Sequence, residues 1–203
     1  MKSEFVEMDL FGNIVNVNRR LETMGSFLDA SSDFVSQKIL ELSPIDSRDE
    51  ALMYYINDFG NGLRKSFIVT LSSLIDAEMG GFCEAVKKQA DLATGWNDLK
   101  GTVIERFTQF STKVAEINMS VSKELWTDVD YLIAVGNCVT KFGGRVSGFS
   151  DSGKIKKLAQ KHPGLIIMED SIIVSPDLCK DFISIVQKFF ETIYDDAIRH
   201  FKK

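Results

Sequence analysis

An all-α fold is predicted, a helical bundle with a small β-hairpin before its last helix. Three observations carry this. Apolar residues recur at helical spacing along nearly the whole chain. Only two short runs rich in β-branched residues, 165–168 and 171–174, break that rhythm. Glycine and proline gather where helices should stop, at 143–144 and 163–164. With 203 residues, 44% of them hydrophobic, the chain can bury a sizeable core, and no repeat or linker divides it. Residues 1–203 therefore read as one helical domain, with 1–46 as an N-terminal helical extension and 47–203 as the core.

In chain order, residues 5–42 carry Phe11, Ile14, Leu21, Met24, Leu28, Val35, Ile39 and Leu42 with polar residues between them. This segment predicts two helices broken near Asp29 to Asp33. Ser47 followed by Glu50 is a capping-box signal, in which hydroxyl and carboxylate each satisfy an unpaired N–H at a helix start. A long helix should run from Arg48 towards Asp91. Gly60 with Gly62, and Gly80 with Gly81, mark two places for a kink or break, since each glycine costs about 1 kcal/mol relative to alanine inside a helix.

Residues 94–101 read as a connector, 103–117 as a helix carrying Phe107, Phe110 and Val114, and 123–142 as the next helix. Gly143 and Gly144 end that helix, as glycine does where a positive φ is wanted. A polar Gly/Ser loop, 145–154, precedes a short Lys-rich helix closed by Pro163 and Gly164. The hairpin turns at Glu169 and Asp170. Ser175, Pro176 and Asp177 then open the last helix with a hydroxyl cap, a first-turn proline and an acid near the positive helix end.

Composition narrows function. No uninterrupted apolar run approaches the roughly 18 residues that span a bilayer, and Lys2, Glu4, Glu7 and Asp9 interrupt the N-terminal segment, so neither membrane nor secretion is expected and the cytoplasm is the default. Cys83, Cys138 and Cys179 are odd in number and far apart, which fits reduced buried thiols rather than a disulfide framework or zinc site. Neither metal nor cofactor is expected. A net charge of −5 excludes wholesale coating of nucleic acid but leaves room for a local basic groove.

The most informative stretch is 136–144, GNCVTKFGG, on the helix that Trp126 opens and Leu132 and Ile133 continue. It resembles the active-site segment of the HEPN superfamily, specifically prokaryotic ribonuclease-like proteins of defence and toxin-antitoxin type, whose pattern is Arg-Asn-Cys-Ile/Val-x-His-Asn-Gly-Gly. Asn137, Cys138, Val139, Gly143 and Gly144 fall in register; Gly136 stands at the family Arg and Lys141 at the family His. The likeness covers about residues 67–190. It implies a HEPN-like bundle of long antiparallel helices, a homodimer through the helices carrying Gly136 to Gly144, and a cleft in which RNA is cut without metal by its own 2′-hydroxyl.

The chemistry explains the family residues. An imidazole exchanges protons near neutral pH, and a guanidinium stabilises charge gathering on phosphate. Gly136 offers no side chain, and Lys141 stays an ammonium unless strongly desolvated, so it can bind phosphate but is a poor proton shuttle. Neither His162 nor His200 has an arginine four to six residues upstream, so neither restores the pair. His162 reads as a helix-end residue facing the last carbonyls, and Arg199 and His200 as a solvated basic tail. Glu78 either contacts the active-site cation, as the resemblance implies, or is an ordinary exposed helical acid. Asn137 can donate to RNA or serve backbone geometry. Cys138, Trp96 and Trp126 read as packing residues. Gly148, Gly153 and Lys154 match a phosphate-loop pattern, but Ile155 replaces its hydroxyl and no strand precedes it.

The expected function divides between two classes, with a purely structural interaction module as a third. The first is a catalytically degenerate dimer that binds RNA or a protein partner such as an antitoxin or defence component. The second is a metal-independent endoribonuclease with a rewired site, in which Lys141 and Arg145 bind and polarise phosphate.

Overall fold

A computed structural model describes residues 2–42 and 50–202. They form an all-α bundle: α1 (Lys2–Leu42), α2 (Glu50–Met53), α3 (Gly60–Ala90), α4 (Val103–Gln109), α5 (Lys123–Phe142), α6 (Ser152–Lys161) and α7 (Pro176–Phe201). One antiparallel hairpin, β1 (Leu165–Met168) with β2 (Ser171–Val174), precedes α7. The predicted cap at Ser47 and helix start at Arg48 lie outside the described residues.

The predicted break in α1 is absent. Ser31 and Ser32 turn their hydroxyls back onto the carbonyls of Phe27 and Leu28, at 2.7 and 2.8 Å, so they satisfy themselves within the helix rather than ending it. Asp29 is taken by Lys180 of α7 at 2.9 Å. Local polarity here marks a solvated helix face.

One glycine of each α3 pair has a close neighbour, while Gly62 and Gly81 face open space. Before Gly60 the backbone widens into π-helical turns over Tyr54–Phe59, and the Gly60 N–H reaches back to Tyr55 O. Tyr54, Tyr55 and Phe59 gather there with Phe34 of α1 in ring pairs 5.5–6.4 Å apart. At Gly80 the helix continues unbroken, because the missing side chain admits the Trp96 ring; a Cβ there would lie 3.1 Å from Trp96 Cζ2. The Arg106 guanidinium covers the same indole at 4.3 Å from its ring centre. α4 starts on a reciprocal cap: Glu105 N–H donates to Thr102 Oγ1, and Thr102 N–H to Glu105 Oε2. Its helical path continues through π turns at Phe110–Val114 and stops at Ala115.

Two compact units are built from interleaved segments. The first comprises Met1–Leu21, Ser73–Asp130 and Ile185–Lys203. Its core is aromatic: Phe82 meets Tyr194 edge-on at 5.3 Å, and Trp126 meets Phe189 at 5.0 Å. Buried Asp196 is satisfied by Ser120 N–H at 2.6 Å, the Ser120 hydroxyl and Arg199 Nη2 at 2.6 Å. Arg199, expected in a solvated tail, is thus held at its charged end.

The second unit comprises Glu22–Ser72 and Tyr131–Ser184 and contains the hairpin. Within it α1 runs antiparallel to α7, with Gly25 against Ile183 and Asp29 against Lys180. The outer edge of β2 is closed by side chains of α3. Asn61, itself buried, donates to Ile172 O at 3.3 Å and accepts Val174 N–H at 3.0 Å, while Arg64 Nε donates to Val174 O. Burial lowers the Arg64 pKa, and the nearby Cys179 thiol is itself pushed up to about 12. All three cysteines are buried and free, as expected. By length and composition α3 is apolar enough to cross a membrane, but Phe67, Ile68, Leu71, Ile75, Met79 and Phe82 are buried within the fold, the pattern of a core helix.

Asn61 sits where its amide replaces a neighbouring strand. Asn61→Ala strands a buried donor and acceptor of β2, and a loss of about 2–3 kcal/mol is expected. A lower urea midpoint at unchanged m would register it; an unchanged midpoint would show that water replaces the amide without cost.

Candidate functional site at the end of helix α5

α5 follows its predicted bounds and ends as its glycines require. Gly143 and Gly144 adopt φ of 63° and 87°, Gly143 N–H donates to Val139 O at 2.9 Å, and Gly144 N–H to Cys138 O at 3.1 Å. The chain then turns under the hairpin. Ile172 N–H donates to Gly144 O, Val146 N–H to Asp170 O, and the Asp170 carboxylate accepts both the Ser147 N–H and its hydroxyl.

Gly136, at the position where the resemblance places an arginine, faces α3. A Cβ there would fall 2.6 Å from Ser72 Cβ and 2.8 Å from Ser72 Oγ, so the two helices touch where any side chain would have to begin. The residue is buried. Its carbonyl also accepts the Thr140 hydroxyl at 2.9 Å. Eight residues on, Gly144 lies beside Lys65 of α3, and a Cβ there would lie 2.9 Å from Lys65 Nζ. Ser72 and Lys65 are two helical turns apart on one face of α3, so α5 and α3 run antiparallel along this contact.

Of the other candidates, Asn137 and Lys141 are four residues apart and share a face of α5. Asn137 is half-buried and Lys141 exposed. Arg145 is exposed just beyond the turn, and its carbonyl accepts the Cys138 thiol at 3.3 Å. Burial raises the Cys138 pKa and Lys65 opposes that rise, so the thiol is a packing group with a hydrogen bond. Lys65 itself is half-buried, and desolvation lowers its pKa. Lys65, Lys141 and Arg145 thus place three cations about one helix end. Sequence reasoning did not find Lys65; its place depends on the packing of α3 against α5, 79 residues further along, and no local pattern announces it.

The remaining candidates have ordinary partners. Glu78, in the first unit, is half-buried and paired with Arg20 of α1; burial raises its pKa and Arg20 opposes the rise. His162 differs from its expected role. Its Nδ1 accepts the Gly164 N–H at 3.0 Å, so Nε2 carries the proton and donates to Asp181 at 2.7 Å, leaving no N–H for the helix-end carbonyls. The 148–154 segment is a turn running into α6, with Gly153 and Lys154 already helical.

Helix propensity alone would favour Gly136→Ala by about 1 kcal/mol. The overlap with Ser72 reverses the sign, and the variant is expected to lose about 1–2 kcal/mol, recovered in part by Ser72→Gly in the same chain; thermal unfolding of the single and double variants checks both. For Glu78, the raised pKa means its protonated form is favoured by folding. That contribution is complete below the unfolded carboxyl pKa and is lost as pH rises through the folded value. Arg20→Ala removes the opposing cation and should cost about 1–2 kcal/mol at pH 7, with a smaller loss near pH 4. An equal loss at both pH values would show that Arg20 acts by packing alone.

Compared with protein-family models, with curated proteins and with solved structures, the chain finds no match.

Proposed function

We propose that this chain is a HEPN-like protein that binds RNA without cutting it, as a cytoplasmic homodimer in a defence or toxin-antitoxin setting. The observation that carries this reading is the closed contact at Gly136. The position that would hold a phosphate-stabilising arginine is filled from the other side by Ser72, so the substitution is built into the packing of α3 on α5. The second motif position holds Lys141, which is exposed, and His162 in the same unit is already held between Gly164 and Asp181. Such a surface supports phosphate binding and offers no imidazole for proton transfer.

The cations support RNA as the ligand. Lys141 and Arg145 are exposed on a chain of net charge −5, and Lys65 adds a third positive group at the same turn. Backbone phosphates would meet these groups without base-specific contacts, giving affinity that falls steeply with salt. A partner antitoxin or defence protein on the same helix face is the other form of the binding reading. The place of Lys65, half-buried beside Gly144 with desolvation lowering its pKa, favours the rewired ribonuclease as a second reading.

One experiment separates these readings. End-labelled single-stranded RNA is incubated with the purified protein in EDTA, and binding is followed by fluorescence anisotropy across a salt series. The expected result is binding without cleavage, weakened about tenfold in Lys141→Ala/Arg145→Ala, with the salt slope reduced by about one for each cation removed. Cleavage in EDTA that Lys65→Ala or Lys141→Ala abolishes would replace the proposal with a ribonuclease. Neither binding nor cleavage would leave the protein-partner form.

A further inference from the structure

The hairpin has one closed edge and one open edge. In β2, Ile172 and Val174 direct their backbone groups away from β1, towards Gly144, Asn61 and Arg64. The pairs Ile167 with Ile172 and Leu165 with Val174 are therefore the non-bonded pairs of the ladder, and the hairpin is held through Ile166 with Ile173 and Met168 with Ser171. By the same alternation, the backbone N–H and C=O of Ile167 and the C=O of Leu165 point out from the other side of β1. Leu165 N–H is spent on His162 O at 3.2 Å. Among the described residues the sheet has two strands only, so nothing pairs with this edge.

That edge opens into a groove of about 440 Å³ between β1 and α6, lined by Lys156, Ala159, Pro163, Ile166 and Ile167 among others and by no residue of β2. An exposed strand edge is ordinarily protected by charge, proline or a bulge. β1 reads Leu-Ile-Ile-Met without any of these, and Ile166 and Met168 are each 54% exposed. Ala159, Pro163, Ile166 and Ile167 give the groove apolar walls, and α6 sets one cation on it: Lys156 is exposed, and no ion pair engages it among the described residues.

We infer that the β1–α6 groove takes an extended acidic peptide of a partner protein, which adds as a third strand alongside β1. The peptide's backbone exchanges two hydrogen bonds with Ile167 and donates one to Leu165 O. Its carboxylates turn to the α6 side and meet Lys156, and the alternate apolar side chains lie on the opposite face of the widened sheet. Charge selects this occupant over a second copy of the chain, since β1-to-β1 pairing would bring two lysine-bearing α6 helices together. The site is separate from the α5 turn and does not depend on what binds there.

The test uses the full chain and a fluorescein-labelled octapeptide of alternating valine and glutamate. Saturable binding is expected, about tenfold tighter than for the counterpart with lysine in place of glutamate. It should weaken about tenfold in Lys156→Glu, and the Ile167 amide should exchange with solvent at least tenfold more slowly in the complex. Peptides N-methylated at alternate residues, in the two registers, test the backbone bonds without touching the protein's fold; one register should lose binding and the other keep it. Equal binding of both registers, equal binding of the lysine counterpart, or an unprotected Ile167 amide would overturn strand addition. A concentration-dependent dimer that protects Ile167 and excludes the peptide would assign the edge to a second copy instead.

Discussion

The close approach of α5 to α3 at Gly136 and Ser72 is the contact on which the candidate site depends. It sets the rotation of α5, turning Val135 and Cys138 into the core and leaving Lys141 at the surface. It also sets the height of the helix end, so that Gly144 arrives at Lys65 and hands the chain to the hairpin through Ile172. A side chain at position 136 would push the helices apart and carry the whole turn with it. The glycine is thus a constraint on the packing.

Local physics was legible where it is decided locally. The bounds of α5, the two hairpin strands and the start of α7 follow from glycines, β-branched runs and a Ser-Pro-Asp cap; the Ser175 hydroxyl does accept Leu178 N–H at 3.1 Å. The same reasoning misjudged α1, because serines that favour turns in isolation bond back onto their own helix when its other face is buried at Leu28 and Val35. Gly80 suggested weakness where it provides room for Trp96, whereas the helix does depart into π turns just before Gly60, and no rule of composition says which a glycine will be until its neighbours are in place. Lys65 illustrates the remaining limit. Its spacing from Ser72 is visible in the sequence, but its meaning comes from α5.

Electrostatics and packing point to the same reading of the α5 end. Two exposed cations and one half-buried lysine surround a turn whose backbone bonds are largely satisfied, and the thiol beneath them is held by Arg145 O. Such an arrangement sets positive side chains beside a packed, hydrogen-bonded turn.

The tip of the hairpin carries a further consequence. Glu169 and Asp170 hold φ of 47° and 67° without a glycine between them, a conformation that L-residues resist by about 1 kcal/mol or more each. Asp170 offsets that cost by gripping Val146 and Ser147, just past the two glycines that end α5. The hairpin turn is therefore tied to the end of α5. The turn at Glu169 and Asp170 thus stands on the end of α5, whereas the strand β2 keeps anchors of its own on Asn61 and Arg64.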